Sequence, residues 1–579
     1  MINRFDRLMY SGACVYIALP IFIFLAGWLR PIFAAVLCAI FLVSLFFMLK
    51  NGPAPTDFRI NRKHLSILLG SILILLVWLY LSGHGGFSYQ NSDYHDRNAI
   101  FHDLINKSWP VTYDFSQAAQ MQTEGLNALP SAAVLTYYIA YWLPSALVGK
   151  LLGWQAGNMA LFVWAFFGLL FIVYFLFRTL KRVSLRSVLI FIFFSGFDLL
   201  GYLWATKGTF PSPIAHMEWW SGFQYSSITT LLFWVFNQSI VFWLALLLIE
   251  NMKNSRSLFF LYALLLLYGP FPFLGMLPFV LAKAYEGFPL STGPKILLTL
   301  RAIPVWFFAG VKRALTFENV AGGVSVLFLV YSYFYGNVAA GRYMGFTKQW
   351  SPVLFVFLAF EAVLWLLFVA VVFYKKPVFW LCVISLLAIP LFQVGIGQDF
   401  CMRVSIPALF VLQMFVQKLL LGKVEAKASV AVPYAESVAP VTLSAEPVSL
   451  PEQMVPTKTK PGFSRISERD LHLLRVILAV LLVIGSAVPS QEILRSAWFT
   501  IPAYQVGSDA MLSFGKTLYE SDVTFLHDAG AALILQSKNG YLTSDQKQTL
   551  DHVSITTTNF VASQEKNFFY EYLARDSDS

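Results

Sequence analysis

Long apolar segments recur along most of this 579-residue chain, and they constrain its fold more than any other feature. Many are close to twenty residues long, the length that crosses the hydrocarbon core of a bilayer as an α-helix. Hydrophobic residues make up 58% of the chain and charged residues 12%, about half the charged fraction of a soluble domain. The runs are continuous, which excludes the alternating pattern of a membrane β-barrel. The sequence therefore predicts an all-α polytopic membrane protein with about 11–13 transmembrane helices.

Basic residues indicate how these helices are oriented. The formal net charge of +10 comes largely from Lys and Arg between the apolar segments, so membrane topology explains it better than nucleic-acid binding. Arg4 and Arg7 precede the first apolar segment, and no small-residue cleavage site follows it, so we expect an anchor and not a removed signal peptide. We predict a multi-pass protein of the plasma (inner) membrane with a cytoplasmic N-terminus.

Composition divides the chain into four predicted regions. A polytopic transmembrane domain covers residues 1–421 and includes an outer acidic loop at 83–131. Residues 422–470 are rich in Ala, Val, Pro, Ser and Glu, and are predicted to be a disordered cytoplasmic linker. A final transmembrane helix at 471–489 would carry a small C-terminal region, residues 490–579, to the extracytoplasmic side. The number of spans stays open around 132–152 and 258–282, where proline and glycine interrupt the apolar runs.

One polar stretch, residues 85–112, follows the third predicted span and reads GGFSYQNSDYHDRNAIFHDLINKSWPVT. Three aspartates alternate there with histidines and an arginine: Asp93, His95, Asp96, Arg97, His102 and Asp103. Apolar residues recur at steps of three and four, which predicts an amphipathic helix. We expect this helix to lie along the outer membrane surface with its apolar face down and its aspartates and histidines displayed.

Asp93 has two interpretations. In the first, Ser92 or Asp93 only caps the N-terminus of the helix, and the helix dipole favours Asp96 in the first turn. In the second, Asp93 is a general base that removes a proton from an acceptor hydroxyl during glycosyl transfer. Inverting transfer needs one base opposite the leaving group, and a phosphate leaves as an anion without a strong acid partner.

Histidine and aspartate together also suit divalent metal ions. The residues in question are His95, Asp96, His102 and Asp103. Their spacing matches no compact metal motif, so we interpret them as polar-face residues. A divalent metal cofactor is therefore not favoured, and no other cofactor is predicted.

A second candidate group lies far along the chain, where Asp399 and Arg403 stand four residues apart at the predicted outer end of a span. Either they pair only with each other, or Arg403 binds a lipid-linked phosphate and stabilises the leaving charge. His216 and Glu218, in the second outer loop, are expected to line the same pocket. Glu361 lies inside a predicted span, where a charge is costly unless it faces a cavity or a partner.

The layout of residues 65–421, with NSDYHD at residues 91–96, resembles the GT-C class of integral-membrane glycosyltransferases. Members of this class carry an acidic motif in an early outer loop and take sugars from polyprenyl-phosphate donors. The resemblance implies a GT-C-like fold and sugar transfer from a lipid-linked donor to an extracytoplasmic glycan, lipid or protein acceptor. Asp93 matches the catalytic carboxylate best, and Asp96 is second. The residues expected to bind substrate are Arg97, Asp103, His216, Glu218, Asp399 and Arg403.

Three other functions stay open at this point. A polysaccharide polymerase or ligase shares the chemistry but usually concentrates its site in a late outer loop, whereas the acidic loop of this chain is early. A transporter or lipid flippase would explain the broken segment at Gly269 and Pro270 and the intramembrane Glu361, although no inverted hydropathy repeat is apparent. A non-catalytic assembly scaffold is the third alternative.

The predicted topology can be checked by labelling single cysteines introduced at Ser92, Ser429 and Ser544. Because positive loops stay cytoplasmic, we expect Ser92 and Ser544 to react from the extracytoplasmic side and Ser429 from the cytoplasmic side. Labelling of Ser92 and Ser429 from the same side would contradict the topology.

Overall fold

The protein is described by a computed structural model that covers residues 4–114, 130, 132–212, 216–285, 310–337, 344–347, 352–395, 399–422, 467–505, 560–564 and 567–576, apart from the side chains of His95 and 502–505. Within these ranges the chain is mostly helical. The predicted linker therefore lies almost entirely outside the described residues, as does much of the predicted C-terminal region.

In chain order the α-helices are α1 (Arg4–Trp28), α2 (Pro31–Asn51), α3 (Leu65–Leu81), α4 (Tyr94–Asn106), α5 (Leu143–Leu152), α6 (Trp154–Leu180), α7 (Leu185–Phe193), α8 (Asp198–Ala205), α9 (Ile228–Asn251), α10 (Leu258–Leu264), α11 (Pro270–Ala284), α12 (Val324–Phe334), α13 (Pro352–Leu358), α14 (Leu364–Phe373), α15 (Pro377–Ala388), α16 (Asp399–Val404), α17 (Ile406–Leu421), α18 (Glu468–Gly485) and α19 (Ala487–Gln505). The strands are short: β1 (Thr112–Asp114), β2 (Ala132–Leu135), β3 (Met344–Phe346), β4 (Phe392–Val394) and β5 (Val561–Ser563). They form an antiparallel sheet in the order β1-β2-β5 and a separate antiparallel pair of β3 with β4.

Eight helical stretches among the described residues are long and apolar enough to cross a membrane: α1, α2, Arg62–Leu81, α6, Leu185–Ala205, α9, Pro352–Phe373 and Glu468–Ile501. This agrees with the predicted all-α polytopic membrane protein. Four shorter apolar helices accompany them: Leu258–Tyr268, Pro270–Ala284, Pro377–Leu391 and Ile406–Leu421. The total of about 11–13 transmembrane helices stays a prediction, because it depends on how many of the shorter helices cross.

The outer faces of α2 and α3 are suited to lipid. Only 22% of the apolar stretch of α2, and 22% of that of Arg62–Leu81, is buried inside the protein. Leu65, Leu69 and Leu73 repeat at four-residue intervals on α3, and each is more than half exposed. An exposed apolar stripe of this length is unfavourable in water, so a bilayer is the environment that the surface fits.

Helix α9 forms the centre of the bundle, because its apolar stretch is completely buried. A helix that is apolar on every side is expected in the interior. It begins at Ser227, whose side chain accepts a hydrogen bond from the backbone N–H of Thr230. Its regular geometry is interrupted at Val235, where φ is −136° and ψ is 38°.

Helices α10 and α11 form a hairpin that turns at Gly269. The Tyr262 hydroxyl donates to the Phe273 carbonyl at 3.0 Å, and the two rings stack with centroids 4.0 Å apart. At the turn, Tyr268 is fully buried and its hydroxyl donates to the Ile17 carbonyl on α1. Two half-helices therefore fill this segment, and the broken backbone lies where the protein can satisfy its polar groups.

A buried ion pair between Arg178 and Asp6 lies at one end of the bundle. Arg178, at the end of α6, bonds to Asp6 of α1 at 2.6 Å and also donates to Asn251 and to the Ala54 carbonyl. The Arg178 and Asp6 side chains are only 4% and 3% exposed. Three loops that the charge pattern predicts to be cytoplasmic are thus joined by one guanidinium group.

The C-terminal segment lies at the other end of the bundle. Strand β5 pairs with β2, and the Thr136 N–H donates to the Phe560 carbonyl at 2.8 Å. Arg30, in the turn between α1 and α2, donates to the carbonyls of Ala574 and Glu571. The described C-terminal residues therefore pack on β2 and on the turn between α1 and α2, and their extracytoplasmic location stays a prediction.

Helix α4 confirms the predicted helix in the acidic loop but not its environment. Ile100, Phe101 and Leu104 are buried as expected, and α4 packs against α5 and α6. However, His102 and Asp103 are only 8% and 5% exposed, so the prediction that they are displayed is wrong. The spacing of apolar residues locates one buried face of a helix and cannot reveal that neighbouring helices cover the polar face too.

The buried ion pair provides a stability test. Replacing Arg178 with Met should lower the free energy of unfolding by about 3–5 kcal/mol, because Asp6 would stay buried without a partner. As a control, Lys418→Met breaks the exposed pair with Glu250, whose side chains are 24% and 51% exposed, and should cost less than about 1 kcal/mol. Thermal unfolding of the purified protein in detergent would compare the two variants with the wild type. An equal loss of stability in both variants would contradict this role of Arg178.

Candidate functional site

Asp93 stands at the N-terminus of α4 and is held by the arginine one turn later. It occupies the N-cap position, yet its side chain makes no capping hydrogen bond. Instead a carboxylate oxygen accepts from Arg97 Nη2 at 2.7 Å. The Asp93 side chain is 38% exposed, whereas that of Arg97 is 5% exposed. Capping by Asp93 is therefore not what the structure shows, and its carboxylate stays partly accessible.

Arg97 lies between this carboxylate and the aromatic ring of Phe236. Its guanidinium carbon is 5.6 Å from the centre of the Phe236 ring, a cation–π distance. Its Nη1 is buried and has no hydrogen-bond partner among the described residues. A buried guanidinium nitrogen without an acceptor is costly, so this side of Arg97 is suited to an anionic or carbonyl oxygen.

Arg403, on α16, repeats the arrangement from the other half of the chain. Its Nη2 is 3.4 Å from Asp399, four residues earlier, and its Nη1 donates to the Tyr138 hydroxyl at 2.8 Å. The Tyr137 hydroxyl donates in turn to that of Tyr138. Again the arginine is buried, with 10% of its side chain exposed, and the aspartate is not, with 59% exposed.

The two pairs are within electrostatic reach of each other. Burial alone would lower the pKa of Arg403, but Asp399, the Tyr138 and Tyr137 hydroxyls and Asp93 together raise it above its ordinary value. Burial and Tyr138 raise the pKa of Tyr137, while Arg403 and Arg97 both act to lower it. We call this group the arginine–tyrosine cluster; its members are Asp93, Arg97, Tyr137, Tyr138, Asp399 and Arg403.

The arginine–tyrosine cluster can bind an anion and accept a proton. Its two guanidinium groups are buried, where hydrogen bonds to a charged acceptor are strong. Its two carboxylates are more exposed, so they can meet a substrate hydroxyl. Tyr137 and Tyr138 were missed by the sequence analysis, although a tyrosine pair beside a proline-broken apolar segment was a visible signal.

The other predicted residues of the acidic loop have different surroundings. Asp103 accepts a hydrogen bond from the Tyr113 hydroxyl at 2.8 Å, a contact between α4 and β1. Asp96 lies half-buried in the first turn of α4. Across the described part of the chain, no group of three or more His, Cys, Asp or Glu residues could hold a metal ion.

His216 and Glu218 belong to a second polar group. His216 Nδ1 lies 2.8 Å from Glu492 on α19. Glu218 accepts from the Gln224 amide at 3.0 Å and from the Ser227 N–H at the start of α9. No hydrogen bond or ion pair within the described ranges joins His216 or Glu218 to the arginine–tyrosine cluster. Their role as substrate-binding residues stays a prediction.

We compared the chain with known protein families, proteins and structures. No protein-family model, curated protein or solved structure matches the chain.

His84 lies beneath the site and offers a pH test. It is fully buried, with Nδ1 2.6 Å from the Ser82 hydroxyl oxygen. Burial, and then the charge of Arg97, lower its pKa from 6.5 to about 3. His84 therefore takes up a proton near pH 6.5 in the unfolded chain, but only near pH 3 in the folded protein.

Stability should consequently fall as the pH drops through this window, by up to about 1.4 kcal/mol per pH unit. Unfolding of the detergent-solubilised protein at a series of pH values would measure the slope. His84→Gln should flatten it, whereas His472→Gln, at an exposed position, should leave it unchanged. An identical slope in wild type and His84→Gln would contradict the assignment.

Proposed function

We propose that this protein is a membrane glycosyltransferase of the GT-C type. It would move a sugar from a polyprenyl-phosphate-linked donor to an extracytoplasmic glycan, lipid or protein acceptor. The observation that carries the proposal is Asp93, a partly exposed carboxylate held by a buried arginine, within electrostatic reach of a second buried arginine.

In this reaction Asp93 acts as the general base. The acceptor hydroxyl attacks the anomeric carbon of the donor, its proton passes to Asp93, and the bond to the lipid phosphate breaks. Arg97 orients the carboxylate through the 2.7 Å bond. Holding the base in one position lowers the entropy cost of reaching the transition state.

The lipid phosphate would bind to the guanidinium side of the arginine–tyrosine cluster. Arg403 is fixed by Tyr138 and Asp399, and Arg97 has one nitrogen without an acceptor among the described residues. Fixed cations stabilise the negative charge that develops on the departing phosphate. A second anion-neutralising group, such as a metal ion, is not required by this scheme.

The apolar surroundings of the cluster suit a lipid-linked donor. Phe400 precedes Arg403 on α16 and packs edge-on against Phe271, at the start of α11. Gly275 of α11 lies against the Val404 carbonyl so closely that an added Cβ would come within 2.0 Å of it. Helix α16, which carries Arg403, therefore packs against α11 of the hairpin.

A transporter or flippase is the second candidate, and a polymerase or ligase would share the chemistry described above. The observation that favours transport is a pair of buried acids, Asp198 and Glu361, inside two candidate membrane spans. Intramembrane acids often mark ion pathways. Vesicles containing the purified protein would distinguish these candidates, because an enzyme modifies the acceptor whereas a transporter only moves the lipid-linked sugar.

Asp93→Asn tests the proposed base directly. The amide keeps the size of the side chain and an oxygen that can accept from Arg97, so folding and membrane insertion should change little. Loss of the base should reduce sugar transfer about a hundred- to ten-thousand-fold. Each variant is expressed in a strain that lacks the native protein. Membranes of these strains are then assayed for the missing glycan and for accumulated lipid-linked sugar.

Asp96→Asn is the matched control in the same helical turn. Its charge favours the helix by under about 1 kcal/mol, so transfer should fall much less than in Asp93→Asn. Asp93→Asn protein with wild-type activity per folded molecule would refute the catalytic assignment. It would leave α4 as a structural helix of the outer loop.

A further inference from the structure

Two buried carboxylic acids meet where two helices are interrupted. Asp198 begins α8, after the regular geometry of α7 ends at Phe193, and Glu361 lies in the π-helical turn Ala359–Val363 between α13 and α14. Each residue is only 1% exposed. π-Turns inside helices are rare and frequently occur at functional sites.

The two interruptions are built against each other. The Phe197 N–H donates to the Phe360 carbonyl at 3.3 Å, and the Trp365 indole donates to the Ser195 carbonyl at 3.0 Å. A Cβ added to Gly196 would lie 1.7 Å from Glu361 Oε2. The Glu361 carboxyl group therefore rests on the bare backbone of Gly196, two residues before Asp198.

The two acids differ in their hydrogen-bond partners. Asp198 accepts from the Trp220 indole at 3.2 Å and from the Ser195 hydroxyl at 3.5 Å. Neither carboxyl oxygen of Glu361 accepts from an N–H or O–H group of another described residue. The backbone of Gly196 and Phe197, directly before Asp198, contacts Phe360 and Glu361, so the two acids are neighbours.

The neighbouring groups make a double negative charge at this position more costly. Glu218 is a third buried acid whose charge acts on both Asp198 and Glu361, and the phenol of Tyr225 is within electrostatic reach of Glu361. Beyond Glu218 lies His216, 3.9 Å from it, which bonds to the Glu492 that Arg495 neutralises. No Lys or Arg among the described residues forms an ion pair with Asp198 or Glu361.

Two carboxylates cannot bond to each other, because both are acceptors only. Two like charges in contact in the interior are also strongly unfavourable, and the usual solution is a single proton shared by the pair. Since the Glu361 oxygens have no other donor in the described structure, a proton is the ligand that satisfies them.

We propose that Asp198 and Glu361 form a proton-binding site inside the helical bundle. One proton bridges the two carboxyl groups at neutral pH and holds the start of α8 against the π-turn. Release of this proton at alkaline pH leaves two facing charges and drives the two interruptions apart. The site is separate from the arginine–tyrosine cluster and does not depend on the proposed glycosyl transfer.

Infrared spectroscopy of the full-length protein in detergent tests the proposal. The wild type should show the carbonyl-stretch band of a protonated carboxyl group at neutral pH. The band should shift in D₂O and disappear on alkaline titration. The band should change frequency in both Glu361→Gln and Asp198→Asn, because the remaining buried acid then faces a neutral amide and no longer shares its proton with a second carboxyl group.

Glu218→Gln is the control, since both Glu218 oxygens already accept hydrogen bonds, and it should retain the band. Glu361→Gln should also unfold at a higher temperature than the wild type at alkaline pH, because its amide supplies a hydrogen at every pH. A wild-type protein without the band at neutral pH would overturn the proposal. So would a band whose frequency and alkaline titration are unchanged in both Glu361→Gln and Asp198→Asn, or stabilisation by Na⁺ in a wild type that lacks the band.

Discussion

The cost of taking arginine out of water shapes this protein more than any other interaction. Four arginines are buried among the described residues, and each is bonded to a carboxylate: Arg97 to Asp93, Arg178 to Asp6, Arg403 to Asp399 and Arg495 to Glu492. An unpaired guanidinium in an apolar bundle would cost several kcal/mol. The pair of Arg178 with Asp6 joins α6 to α1, whereas each of the other three pairs joins residues three or four positions apart.

The four pairs fall into two kinds. In two of them, Asp6 with Arg178 and Glu492 with Arg495, both side chains are buried and the ion pair has a structural role. In the other two, the arginine is buried and the aspartate is more exposed. This asymmetry leaves a fixed cation beside an accessible carboxylate, the combination that the proposed glycosyl transfer would use.

Much of the fold could be predicted from local sequence, because apolar run length and helical spacing are local properties. The membrane spans and α4 follow from them, and so do Asp93 and Arg403 as candidate residues. The contact of Tyr138 with Arg403 could not be predicted, because it joins positions 265 residues apart. The burial of Asp103 was equally invisible, since it depends on Tyr113 and on covering helices, not on the pattern of α4 itself.

The pairing of β5 with β2 has a consequence for biogenesis. The Tyr570 hydroxyl donates to the Leu135 carbonyl, 435 residues earlier in the chain, and Phe560 packs on Tyr137 of the arginine–tyrosine cluster. At roughly 5–20 residues per second, a ribosome needs about 20–90 s to travel that far. The edge of β2 therefore waits unpaired through the insertion of most later helices. A nascent chain that stalls before β5 would contain helices α1–α19 but would lack the strand that pairs with β2 and the Phe560 ring that packs on Tyr137.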